Sequence, residues 1–155
     1  MSEITVEFAR PDEFGAVGKL VNTLLVELFP DDEELRDPGQ HINAAERLLK
    51  SADNLWALVA KIATGEIVGV LTLNECTAIY ACGNFGEISE LYVDSSQRSS
   101  GVGAKLIEAA KEFGISRGWP EIEVGAPPQP KWKRTVGFYF SQGFGYSGPR
   151  LYLKL

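Results

Sequence analysis

The sequence predicts an α/β layered domain built around a mixed sheet. Three observations carry this expectation: an apolar stripe at helical spacing near the start, β-rich runs crowding the middle, and helix-like and strand-like segments interleaving to the end. A chain of 155 residues is about one domain, so 1–155 is expected to fold as a single unit with a full hydrophobic core. Its 45% hydrophobic and 23% charged content is ordinary for a globular protein.

Each element follows in order. The opening "MSEITVEFARPDEF" alternates apolar and polar residues and lacks a basic-then-apolar leader, so it reads as the first strand of a cytoplasmic protein. Pro11 and Asp12 suit a helix start, and Val17, Leu20, Val21, Leu24, Leu25 and Leu28 then form one stripe. Pro30 ends that helix, the acidic "PDDEELRDPGQ" connects, and a short helix covers "INAAERLLKS". "LWALVAKI" and "EIVGVLTL", separated by "ATG", read as a hairpin, and "FGEISELYV" as a third strong strand. A helix follows with Val102, Leu106, Ala109, Ala110 and Phe113 on one face. "EIEVGA" reads as the next strand, and Pro127, Pro128 and Pro130 forbid regular structure before a last helix near "KRTVGFYFSQG". Phe144, Tyr146 and "RLYLKL" supply closing strand material.

A net charge of −6 argues against a broad nucleic-acid surface, since phosphate backbones demand a basic face. No apolar run approaches the roughly 20 residues that span a bilayer, so no membrane partner is expected. Cys76 and Cys82 have neither zinc-knuckle nor redox-pair spacing and read as free thiols. The single histidine, His41, rules out a His-rich metal site, and no metal is expected; a Cys–His pair would need an orienting neighbour that nothing local supplies.

The informative stretch is "LYVDSSQRSSGVGAKLIEAAKEFG". A strand breaks into a loop with two glycines and no acidic residue where the next helix begins. Helix N-termini carry unsatisfied N–H donors and partial positive charge, and glycine lets a ligand approach closely, so the loop suits a phosphate. The P-loop pattern is absent, and Leu106 stands where a dinucleotide fingerprint needs its third glycine.

The run Arg98-Ser99-Ser100-Gly101-Val102-Gly103, preceded by Gln97, resembles motif A of the GNAT superfamily of N-acetyltransferases. "ISELYV" resembles the family's signature strand just upstream, and "FYFSQGF" its C-terminal Phe-Tyr-x-x-x-Gly-Phe. The resemblance covers nearly the whole chain. It implies a mixed, mostly antiparallel sheet of six to seven strands flanked by about four helices. It also implies acetyl-CoA as acetyl donor, a small-molecule or peptide amine as acceptor, direct attack, and a homodimer.

By that resemblance the amides from Arg98, Ser99, Ser100, Gly101, Val102 and Gly103 hold the pyrophosphate, with Arg98 adding positive charge. Leu91, Tyr92 and Val93 contact the pantetheine and acetyl groups through backbone N–H groups left unpaired where two strands splay. One such donor holding the oxyanion is worth about 3 kcal/mol of barrier. With one histidine in the chain, a carboxylate is the natural base. Glu90 interrupts the signature strand, flanked by Ile88 and Tyr92 on its own face, and desolvation there would raise its pKa. Glu87 competes; unless a bulge intervenes, alternation puts it on the opposite face. Either carboxylate has a plain alternative as a solvated or salt-bridged strand residue.

Tyr139 matches the family tyrosine that protonates the departing thiolate; a phenol near about 10 against a thiol near about 8.5 makes this feasible. Its alternative is a core aromatic beside Phe138 and Phe140. The asparagine many relatives carry after the fifth strand is missing from "EVGAPPQPKWKRT", leaving the pantetheine arm to backbone, or to Arg134 and Thr135. Trp132 and the three prolines read either as one wall of the acceptor site or as a surface loop. "DDEEL" invites a cationic acceptor, although charge runs are commonly solvated loops. An acyl-CoA sensor or scaffold without turnover is the competing function; Glu90 and Tyr139 together favour the enzyme.

Overall fold

The computed structural model describes residues 3–127, 131–148 and 150–155. It divides into two compact units, Met1–Glu123 and Val124–Leu155. The first holds β1 (Thr5–Phe8), α1 (Phe14–Leu28), α2 (Gly39–Ser51), β2 (Leu55–Lys61), β3 (Ile67–Ala78), β4 (Gly83–Val93) and α3 (Val102–Arg117), and the division falls within β5 (Ile122–Val124). The second holds α4 (Lys133–Ser141). Among the described residues no helix is long and apolar enough to cross a membrane.

The five strands lie in sequence order, and β1 to β4 form an antiparallel meander. Alternation gives the sheet two apolar faces. On one, Val17 and Val21 of α1 pack against Ala57, Val59, Val70 and Tyr92, with Leu49 of α2 alongside. On the other lies α3: a Cβ on Gly69 would sit 3.1 Å from Val102 Cγ1 and 3.2 Å from Leu106 Cδ1, so glycine there lets the helix seat closely. Of the stripe read from the sequence, Val102, Leu106 and Ala110 are buried and Ala109 and Phe113 half-buried; Ile107, outside that stripe, is buried as well.

Polar clamps fix the layers. Lys61 Nζ, almost wholly buried, pairs with Glu7 at 2.5 Å and Glu13 at 2.6 Å, tying β2 to β1 and to the turn before α1. On the α3 face, Glu75 accepts from Arg117 Nε at 3.0 Å and Nη2 at 2.8 Å, and from Trp119 Nε1 at 2.6 Å. Trp119 joins Trp56 and Phe113 in an aromatic cluster, with Phe8 edge-on to Phe113.

Two expectations need correction. The sheet has five strands among the described residues, not six to seven. The described residues beyond Gly143 carry no strand, although "RLYLKL" has the composition of one. A strand exists through its ladder, and here glycines with left-handed φ at 143 and 148 break the extension while Leu151, Tyr152, Leu153 and Leu155 stand exposed. The second helix begins at Gly39, three residues before the stretch read from the sequence. Pro128 and Pro130 fall outside the described residues.

Candidate active site

β4 carries the chemistry, and its register decides where each side chain points. Thr72 pairs with Glu90 while Leu73 pairs with Ile88, so Ser89 is an extra residue: a β-bulge. The bulge reverses the alternation expected from the sequence. Partners across a ladder share a face, so Glu90 opposite Thr72 and Glu87 opposite Asn74 lie on the same side, that of Tyr92 and α1. Ile88, expected beside Glu90, instead faces α3 with Leu73.

Thr72 explains how β4 accommodates the carboxyl. The Thr72 hydroxyl donates to Glu90 Oε2 and accepts from the Glu90 backbone N–H at 3.0 Å. Burial pushes the Glu90 carboxyl above the usual range; the Thr72 hydrogen bond and the charge of a protonated His41 pull against it. The result is a part-buried carboxyl, hydrogen-bonded through one oxygen and inclined to hold a proton. Glu87 is half-buried and has polar company of its own.

Beyond Glu90 the amides sort by parity. Glu90 N–H faces Thr72 and Asp94 N–H donates to Val68 at 2.8 Å, so the even-numbered amides here face β3. Tyr92 N–H therefore belongs to that ladder, and those of Leu91 and Val93 point to the outer edge. β5 neighbours β4 on that edge, and Gly86 N–H bonds the Glu121 carbonyl at 3.1 Å, five residues before Leu91. The sequence left all three amides open; the ladder narrows the edge donors to Leu91 and Val93.

The loop then turns into α3. Asp94 caps a short turn by accepting from Ser96 N–H at 2.9 Å. Ser99 and Gly101 take left-handed backbone, φ 68° and 85°, and Ser100 donates to the Gln97 carbonyl. Gly101 is the N-cap of α3; no side chain caps the helix, and its first turn carries no acid. Space around Gly101 is open, with nothing within 4 Å of where a Cβ would stand. Arg98 is already engaged: its Nη2 donates to both Glu27 oxygens at 2.9 and 2.8 Å, and its Nε to Val93 O at 3.0 Å. It also lies 5.5 Å from the Tyr92 ring centroid.

Tyr139 belongs to the second unit. It is buried in α4 between Phe138 and Phe144, and burial alone pushes its phenol up to about 12. Arg134 and Thr135 lie in the first turn of the same helix, and Trp132 at its N-cap has Lys131 Nζ 5.4 Å from its ring. The acidic run folds as a short turn, Glu33–Arg36, with Asp32 accepting from Glu34 N–H at 3.0 Å and Leu35 buried beneath. Sequence reasoning missed three polar residues on the Glu90 face: Thr72, Asn22 and His41. An asparagine inside the α1 stripe, four residues after a glycine, was the available signal for a close helix crossing.

Bulged strand, uncapped glycine loop and part-buried carboxyl mark the candidate site of this α/β scaffold. Residues 20–144 match the model of the acetyltransferase (GNAT) family, and the chain belongs to that family. It is similar to glucosamine 6-phosphate N-acetyltransferase 1 of Oryza sativa subsp. japonica, 26% identical over 136 residues, covering 87% of this chain and 79% of that one. Among solved structures, an aminoglycoside acetyltransferase from an uncultured soil metagenomic sample, in complex with trehalose, shares the fold. Its TM-score is 0.76 at 23% identity, with 98% and 96% of the two chains covered. An aminoglycoside N-acetyltransferase in complex with CoA superposes with TM-score 0.77 at 18% identity, covering 100% and 96%. Enzymes of the family use acetyl-CoA.

Proposed function

We propose that this chain transfers acetyl from acetyl-CoA to a primary amine by direct attack in a ternary complex. The observation that carries the reading is Glu90: a carboxyl raised by burial, at a bulge, one residue before an amide that faces away from β3. The relatives' names, which specify amino-sugar and aminoglycoside acetylation, support a small-molecule amine as acceptor.

Acetyl-CoA, when bound, supplies an acyl carbon activated as a thioester. The amides of Gly101, Val102 and Gly103 hold its diphosphate, while Arg98 contributes to the extent that it leaves Glu27. Edge amides of Leu91 and Val93 donate to the carbonyl oxygen as charge develops there. Glu90 accepts the proton of the acceptor's ammonium, with Glu87 on the same face as the alternative base. Tyr139 is assigned the proton for the departing sulfur on the family motif. Its rise to about 12 weakens it as an acid, and that favours the second reading, an acyl-CoA-binding module without turnover.

Thiol release from acetyl-CoA across amino sugars, aminoglycosides, polyamines and peptide amines separates the two. Turnover with at least one amine is expected. Binding of acetyl-CoA with no release from any amine would establish the sensor. Gly101→Val, which forces a side chain into left-handed backbone, is expected to weaken acetyl-CoA binding at least about tenfold; unchanged affinity would remove the loop from the site.

A further inference from the structure

His41 is the chain's one histidine, half-buried in the first turn of α2. Gly18 in the α1 stripe is what admits it: a Cβ there would fall 2.4 Å from the His41 carbonyl oxygen and 2.7 Å from Ile42 Cα. One turn along α1, buried Asn22 lies 2.8 Å from His41 Nδ1 through its Oδ1, and donates through Nδ2 to the Leu35 carbonyl at 2.9 Å. These contacts fix the imidazole tautomer by elimination. The Leu35 carbonyl can only accept, so the Asn22 amide nitrogen must face it and the amide oxygen must face His41. That oxygen can only accept too, so Nδ1 carries the hydrogen and the neutral ring keeps its lone pair on Nε2.

α1 and α2 cover the sheet face that carries Glu90, and the charge of a protonated His41 acts on that carboxyl. Resting on the acetyltransferase reading, we propose that His41 is a second base of the acceptor-amine site. Its Nε2 takes the proton shed by the acceptor's ammonium, sharing that work with Glu90, and Asn22 is the positioning residue that sets the tautomer. One N–H bond of the ammonium breaks, one Nε2–H bond forms, and the freed lone pair remains on the amine. His41 then returns the proton to water on its exposed side. Other charged groups on the surrounding elements are Glu87 of β4, Lys19 and Glu27 of α1, Glu33, Glu34 and Arg36 of the turn before α2, and Glu46, Arg47 and Lys50 of α2 itself. Asn22, being neutral, presents His41 with a fixed acceptor and no competing charge.

A single histidine makes the imidazole nitrogen resonances unambiguous. In the wild-type protein, nitrogen NMR is expected to show Nδ1 protonated and Nε2 bare. An Nε2–H tautomer overturns the proposal. His41→Asn places an amide N–H near the Nδ1 position, keeping the Asn22 contact while deleting the second nitrogen. It is expected to lower kcat/KM at least about tenfold with melting temperature and acetyl-CoA affinity unchanged. Wild-type turnover equalled by His41→Asn overturns this inference alone. A wild type that releases no CoA with any amine overturns the acetyltransferase reading and this inference with it.

Discussion

Glu75 and Glu90 stand on neighbouring strands of one sheet, and their carboxyls have opposite fates. Glu75 lies on the α3 face opposite Gly86, where Arg117 and the Trp119 indole supply three donors at 2.6 to 3.0 Å. Those bonds, Arg117 first and then Trp119, hold its carboxyl below the usual range. Glu90 lies on the α1 face, where burial pushes its carboxyl up against one hydroxyl donor and the charge of His41. A carboxylate with a cation and an indole committed to it is a fastener, with little basicity left to use. A carboxylate short of donors holds a proton readily, which is what a general base requires. Desolvation is the largest influence on Glu90 and a lesser one on Glu75, so depth of burial and the number and charge of the donors together separate them.

Glu90→Gln should break the comparison most forcefully. It keeps the size and can still meet Thr72, yet cannot take a proton, so kcat/KM for amine acetylation should fall about 10²–10⁴-fold. Stability should move the other way. Glu90's folded pKa lies above the unfolded value of 4.5, so its contribution to folding is fully present below that value and is lost as pH rises through the folded one. The variant should therefore melt higher than wild type near pH 8 and not near pH 4. A drop in melting temperature at pH 8, with turnover intact, would make Glu90 a structural residue.

Glu75→Gln is the converse experiment, with an effect confined to stability. It removes the charge that Arg117 pairs with and weakens the hold on Trp119, which packs over Gly86 and Gly114. The melting temperature should fall by several degrees at neutral pH while kcat/KM stays within about twofold, since the site lies across the sheet. Here the folded pKa is below the unfolded one, so Glu75 stabilises above pH 4.5 and the benefit disappears as pH falls through the folded value. The difference between variant and wild type should thus shrink in acid, as it does for Glu90→Gln, but with the opposite sign: this variant melts below wild type at neutral pH, not above it. Loss of turnover without loss of stability would contradict the division of labour.

That division was half legible in the sequence. The glycine loop was readable because its signal is local: left-handed Gly101, no acid in the first turn, and a buried Val102 anchoring the helix all fall within a few residues. Glu90 was readable because a charge in a β-rich run is out of place. Its true face was not, because the bulge at Ser89 exists only in the pairing of β4 with β3. Asn22 and His41 are nineteen residues apart and meet because two helices cross at Gly18, a tertiary fact. The closing strands failed for the matching reason: composition gives the propensity of "RLYLKL", and a partner edge must give the strand.

Thr72→Val tests the remaining part of the comparison, the one hydroxyl that restrains Glu90. The substitution keeps the β-branched shape and deletes both the donor to Oε2 and the acceptor for Glu90 N–H. Losing a bond that lowers the carboxyl's pKa must raise it further, so the acidic limb of the kcat/KM profile should shift to higher pH while the plateau above it changes little. The orphaned N–H adds a stability cost of about 1–3 kcal/mol, visible in denaturant unfolding at any pH. Thr72→Ser keeps the hydroxyl and should leave the limb in place, so the shift can be assigned to the hydrogen bond and not to repacking. A limb that moves to lower pH in Thr72→Val, or stays put, would mean that Glu90 is not the group whose ionisation sets the rate, and the contrast with Glu75 would then describe stability alone.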